Sequence, residues 1–193
     1  LDVASMANSS TKVFILEVMG RHAGWLAASA GVIKENKSMP PHLILLPEVI
    51  FNEKKFLQET KAIVKNYGYC VIVASEGIKN KKDQFIASSA LKDSFGHAHL
   101  GGVAPKLANI ISNKLSYKVH WAVADYLQRA ARHLGSSVDV KQAYAIGFKA
   151  LHYAKKGMNG GMLTIKKQKA KTYKWEIKYT KLENVANFEK ELP

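Results

Sequence analysis

The sequence predicts a three-layer, doubly wound α/β fold with a mostly parallel sheet, followed by an antiparallel C-terminal strand. Two observations carry that expectation. Short apolar runs rich in β-branched residues alternate with amphipathic segments of helical period, the pattern of strands buried on both faces by crossover helices. Residues 173–179 instead alternate apolar or aromatic with polar side chains, as a half-exposed antiparallel strand does. The length of 193 residues and a hydrophobic share of 47% suit one core.

Residues 13–18 form the first buried-type strand, interrupted by Met19-Gly20-Arg21. From 22 to about 36, Ala23, Leu26, Ala27, Ala30 and Ile33 recur at helical spacing and predict an Ala-rich helix. Residues 42–47 read as a second strand stopped by Pro47, 52–67 as an amphipathic helix and 69–74 as a third strand ending at Ser75-Glu76-Gly77. After a polar loop, 103–115 makes a helix that tolerates Pro105 in its first turn. Residues 117–124 supply a fourth strand, and 125–132 is polar. A long helix over 138–156 has Ser137 as candidate N-cap and ends before Gly157; Gly160-Gly161 then turns into a strand over 162–165. The α/β pattern stops near 130–137, dividing the chain into a lobe over 1–132 and a C-terminal helix with strands over 133–193.

Composition excludes several classes. The single cysteine, Cys70, rules out an intramolecular disulfide framework and a four-cysteine zinc site, and its apolar strand context predicts an inert thiol. No apolar run approaches the roughly 20 residues of a membrane span, and residues 1–5 lack the features of a signal peptide, so a cytoplasmic protein is expected. An excess of 29 Lys+Arg over 15 Asp+Glu gives +14, which favours anionic partners: nucleic acid, anionic lipid or phosphorylated metabolites. Runs such as Lys79-Asn80-Lys81-Lys82 read first as solvated surface.

Ligands of open α/β sheets bind beyond the carboxyl ends of the strands, which places Met19-Gly20-Arg21 and Glu76 in one candidate crevice. Backbone N–H groups and a helix dipole at that turn favour an anion, and the Arg21 guanidinium adds bidentate bonds; an exposed arginine after a turn glycine is the plain alternative. Glu76 is placed to accept sugar hydroxyls, or is simply a solvated strand-end carboxylate. Tyr126-Leu127-Gln128-Arg129, beside Arg132 and His133, suits a terminal phosphate or a polar surface turn. His97, His99 and His133 are the metal candidates, but without an H-E-x-x-H pattern no metal site is assigned. Neither a G-x-S-x-G elbow, a Walker A loop nor a G-x-G-x-x-G fingerprint occurs. The chain offers binding groups without a catalytic centre.

In this order, the run from Glu17 through Val18-Met19-Gly20-Arg21-His22-Ala23-Gly24 closely resembles the sugar-phosphate loop of 6-phosphofructokinases. The resemblance continues through Leu46-Pro47-Glu48, Val73-Ala74-Ser75-Glu76-Gly77, Gly101-Gly102-Val103 and Tyr126-Leu127-Gln128-Arg129, covering about residues 1–165. It implies phosphoryl transfer to O1 of fructose 6-phosphate. Met19, Gly20 and Arg21 would line the sugar and the migrating phosphoryl group, with Arg21 stabilising the transition state. Glu76 would hold sugar hydroxyls, and Tyr126 and Arg129, with Gln128 in the same segment, would grip the 6-phosphate. Lys12 matches a basic residue that reaches that phosphate across a subunit interface, so a homodimer is expected. Lys12, Tyr126 and Ser5-Met6-Ala7-Asn8 look more like the pyrophosphate-dependent branch than the ATP-dependent one.

The family's G-G-D-G-type phosphate loop and T-I-D-N-D-type segment, whose aspartates bind Mg2+ and deprotonate the sugar, do not occur in this sequence. The reading is therefore a fragment: the fructose 6-phosphate-binding portion of a longer glycolytic enzyme, inactive alone, whose donor, pyrophosphate or ATP, and Mg2+ belong to a missing lobe. The competing class is a basic nucleic-acid-binding module, motivated by the net charge and by Tyr173, Trp175 and Tyr179 among lysines. No nucleic-acid-binding signature accompanies them, so neither nucleic acid nor membrane is expected as a partner.

Overall fold

The computed structural model describes residues 5, 8, 10–92 and 98–193. Two compact units divide the chain: Leu1–Gln128 with Lys190–Pro193, and Arg129–Glu189.

The first unit is built on a four-stranded sheet of order β2-β3-β1-β6. Its strands are β1 (Thr11–Val18), β2 (Leu43–Leu45), β3 (Cys70–Ser75) and β6 (Lys118–Val123), and every pairing is parallel. Side chains of β1 and β3 alternate between two apolar layers, as period two requires. Val13, Ile15, Cys70, Ile72 and Ala74 meet α2 (Glu53–Tyr67) and α3 (Val103–Leu115) through Phe56, Val64, Leu107 and Ile111. On the other face Val18 and Val73 pack with Ala27 of α1 (Trp25–Ser29). The α2 helix is capped as its sequence directs: Asn52 accepts from the Lys55 amide, and Gly68 closes the end at φ 83°.

Four expectations are corrected or refined. The predicted helix over 22–36 shrinks to α1, because after Ser29 the amides of Ala30, Gly31 and Val32 bond three residues back and the Ser29 hydroxyl donates to Leu26. Such local bonding competes with the helical ladder, and Val32 and Ile33 are left exposed. The polar loop before α3 holds a strand pair, β4 (Ser88–Lys92) and β5 (Ala98–Leu100), antiparallel and too weakly apolar to announce itself. A helical turn, Leu127–Ala130, and a 3-10 turn, Arg132–Leu134, organise the stretch read only as polar. In the second unit the long helix α4 (Ser137–Lys155) is capped by Ser136 rather than Ser137, which is its first helical residue.

That second unit adds the antiparallel pair β7 (Gly161–Lys167) and β8 (Trp175–Lys181), with Ile165 opposite Ile177. Tyr179 stacks on Tyr153 and donates to the Asn159 carbonyl at 2.7 Å, while the Tyr173 hydroxyl accepts from Gln142 at 2.8 Å. Two of the three aromatics that suggested base stacking are thus engaged within their own unit. Gln142, 7% exposed, is the only buried residue of 129–189.

Candidate functional site

The parallel register sets Val18 beside Ser75 and Glu17 beside Val123, so β1, β3 and β6 end together. Beyond those ends lies a cleft of about 220 Å³ lined by Glu17, Met19, Glu76, Gly102, Asp125 and Gln128, among others.

Its floor is a double strap between two loops. The Glu76 amide donates to the Val18 carbonyl at 3.0 Å and the Gly77 amide to the Gly20 carbonyl at 3.1 Å. The Ser75 hydroxyl donates to that same Gly20 carbonyl at 2.5 Å, and the Gly20 amide returns a bond to Glu76 Oε1 at 3.1 Å. Both glycines are dictated by space. Gly20 sits at φ 145°, and a Cβ there would come within 2.6 Å of Ser75 Oγ; a Cβ on Gly77 would overlap the Gly20 and Arg21 carbonyls.

The other wall comes from the end of β6. Gln128 Oε1 accepts from the Met19 amide at 3.1 Å, while its Nε2 donates to the Asp125 carbonyl at 3.1 Å. Asp125 itself takes a positive φ of 42°.

Structure and sequence agree on where these groups gather, and differ on how the turn is used. Met19, Gly20, Glu76 and Gln128 come together at the cleft, and Arg21 follows half-buried in the same turn. Part of the turn's N–H complement is already used: the Met19, Gly20 and Gly24 amides donate to Gln128, Glu76 and Glu48, and α1 spans only five residues. Both polar ends of the Gln128 amide are spent on main chain. Tyr126 is 68% exposed, and Arg129 opens the second unit. Lys12, second residue of β1, stands at the far end of the strand from Met19. At about 3.3 Å per residue their Cα atoms are about 23 Å apart. His97 lies outside the described residues, as do Met6 and Ala7 of the segment that suggested the pyrophosphate branch.

Two carboxylates that appeared in the sequence only inside longer motifs prove structural. Glu17, 2% exposed, accepts from the Gly102 amide at 3.0 Å and the Ala104 amide at 2.8 Å. An acidic residue inside an otherwise apolar strand was the signal available. Glu48 Oε1 accepts from the amides of Gly24 at 2.8 Å and Leu192 at 3.1 Å. Burial pulls the Glu48 carboxyl upward, but these N–H donors and its own amide together hold it below the ordinary value. Cys70 is the inert thiol expected, since burial pushes it up to about 12.

Chemically, the remaining Glu76 oxygen and Asp125 can accept hydroxyl donors at the cleft, while the spent Glu17 carboxylate adds only negative charge, which disfavours a phosphate there. The residues present do not fit Mg2+: both Glu17 oxygens and one Glu76 oxygen are taken by amides, and among the described residues no three His, Cys, Asp or Glu side chains gather as a ligand set. No helix is long and apolar enough to cross a membrane among the described residues.

A family model described as "Phosphofructokinase" matches residues 2–154. The chain is 51% identical, over 193 residues, to a "Pyrophosphate--fructose 6-phosphate 1-phosphotransferase" of Halomonas elongata, and 49% identical over 192 residues to one of Methylococcus capsulatus. In both alignments all of this chain covers 46% of the relative, so the chain spans about half the length of the relatives it matches. A crystal structure of a pyrophosphate-dependent phosphofructokinase from Marinobacter aquaeolei superposes with a TM-score of 0.83 at 49% identity, covering 100% of this chain and 44% of that one.

Proposed function

Because the chain belongs to the phosphofructokinase family, we propose that it is the fructose 6-phosphate-binding portion of a pyrophosphate-dependent phosphotransferase acting at O1 of that sugar. One observation carries the reading: the Met19-Gly20-Arg21 turn is strapped by Ser75, Glu76 and Gly77 against a cleft edged with carboxylates. The sugar ring lies there, with hydroxyls on the free Glu76 oxygen. Arg21 meets the migrating phosphoryl group, where a fixed cation acts on charge that develops in the transition state. Tyr126 and Arg129 serve the 6-phosphate. Gln128 works through the Met19 amide instead of touching substrate.

Lys12 stands too far along β1 to reach its own cleft, which supports its service to a neighbouring subunit and hence a homodimer. The donor, Mg2+ and the catalytic base are held by the other half of the parent protein, which works in the cytoplasm. Identity near 50% to pyrophosphate-dependent enzymes favours pyrophosphate over ATP. A coupled assay of the full-length parent with fructose 6-phosphate and each donor tests this: turnover with pyrophosphate is expected, and turnover with ATP alone would assign the other branch.

A further inference from the structure

Glu17 occupies the strand position after Val13 and Ile15 on the α3 face, where an apolar side chain would continue the core. A carboxylate there is costly unless every lone pair in play finds a donor. It does find them. Oε1 takes the Gly102 amide and Oε2 the Ala104 amide, while the main-chain carbonyl of the same residue accepts from Ala124 at 3.1 Å.

The two partners stand on opposite walls of the cleft. Gly102 is the N-cap of α3 at φ 86° and carries no side chain of its own to cap the helix, so Glu17 supplies the cap from outside. Leu100, Gly101 and Gly102 form one wall. Ala124 leads directly into Asp125 and Gln128, which form the other. One residue, two positions before Met19, therefore fixes both walls relative to the floor.

We propose that Glu17 is a positioning residue for the acceptor sugar: through Gly102 and Ala104 it sets the distance between the glycine wall and the Met19-Gly20 turn, without touching substrate. The inference rests on the reading of this cleft as the sugar side. Phosphoryl transfer depends on placement of the acceptor hydroxyl, and a misplacement of about 1 Å costs on the order of 10²-fold. Donor binding lies elsewhere and is insensitive to Glu17.

The test uses the full-length parent carrying Glu17→Gln or Glu17→Ala, assayed well below each variant's Tm. Gln keeps the size of the side chain but turns an NH2 group toward one of the two amides. We expect kcat/KM for fructose 6-phosphate to fall on the order of 10²-fold, with KM for pyrophosphate unchanged. Wild-type kinetics in a folded Glu17→Gln protein would confine the residue to stability and overturn the proposal; so would an equal rise in both KM values. Where Glu17→Ala does not fold, the Gln variant decides. Hydrogen exchange at the Gly102 and Ala104 amides needs no substrate. Lost protection in Glu17→Gln supports the pinning and unchanged protection defeats it, even if the parent proves to have another reaction, an outcome that the wild-type assay alone reveals.

Discussion

Gly20 and Glu76 stand 56 positions apart and are joined by a 3.1 Å bond from the glycine amide to the carboxylate. The strap makes one rigid body of two loops that the sequence presents separately. It also leaves one Glu76 oxygen for a ligand while the other holds the turn that carries Arg21.

Replacing Gly20 by alanine puts a Cβ 2.6 Å from Ser75 Oγ and 2.9 Å from the Ala23 carbonyl, at a φ that L residues rarely adopt. Strain of about 1–3 kcal/mol is expected. In the parent enzyme Gly20→Ala should lower Tm and depress kcat/KM for fructose 6-phosphate in the protein that remains folded. Thermal unfolding and initial rates check both.

Arg21→Ala and Arg129→Ala should separate by kinetic parameter. A cation on the migrating phosphoryl group is felt most in the transition state, so Arg21→Ala lowers kcat, by about 10²–10³-fold if it matches other fixed donors. A grip on the distant 6-phosphate is equal in ground and transition states, so Arg129→Ala mainly raises KM for fructose 6-phosphate. Equal kcat losses with unchanged KM in both would contradict the assignment.

Lys12 yields a complementation experiment. Parent subunits carrying Lys12→Ala, mixed with subunits carrying Arg129→Ala, place both lesions in one shared site and leave the other intact. About half of the wild-type sites should then be restored in a two-fold dimer. Mixed dimers isolated with two tags and confirmed by mass give the answer, and activity no higher than the parental mutants would place Lys12 within its own subunit.

His42 gives a pH dependence of stability. Burial lowers the imidazole below 6.5, a bond with the Ser38 backbone opposes the shift, and the charge of Lys34 adds to it. Its Nδ1 accepts from the Val71 amide at 3.0 Å, a bond that requires the unprotonated nitrogen. The unfolded chain therefore takes up the proton first. The His42 contribution is complete above about pH 6.5 and is lost as pH falls from there toward the folded value. Urea unfolding between about pH 5.5 and 7.5 should show stability rising with pH, with a shallower slope in His42→Asn, whose Oδ1 keeps an acceptor for Val71. An unchanged slope would exclude His42.

The isolated chain should show no turnover with pyrophosphate or ATP, because the aspartate motifs of the family's donor side do not occur in it. Activity that survives purification in a coupled assay with Mg2+ would refute the division of labour.

What could be read in advance follows from periodicity. The β1, β2 and β3 strands were visible as nearly continuous apolar runs, β6 as a weaker run interrupted by Lys118 and His120 at the exposed sheet edge, and α2 because its cap and amphipathic period coincide. The shortened α1 was not visible, since Ala23, Ala27 and Ala30 keep a helical period that the Ser29 hydroxyl and three-residue turns override. At the site, Met19, Gly20 and Glu76 were legible as motif residues at strand ends. The occupation of their amides was not, because the acceptors on Gln128 and Glu76 arrive from positions 109 and 56 residues away. Glu17 gave a signal of its own, a carboxylate where the pattern asks for an aliphatic, and its meaning appeared only with Gly102 beside it.

The return of residues 190–192 to the first unit has a consequence in time. Leu192 donates to Glu48, Trp25 Nε1 donates to the Lys190 carbonyl at 2.6 Å, and the Lys190 ammonium lies over the Trp25 ring. On the ribosome Glu48 emerges 144 residues before its second donor. At 5–20 residues per second that is a wait of about 7–30 s. Throughout it the nascent unit holds Gly24 and the start of α1 without this brace, while all of the second unit is synthesised. Synthesis order thus lets this support beneath the Arg21 turn form only after residues 129–189 have been made, and a pause in translating them prolongs the interval before Leu192 joins Gly24 at Glu48.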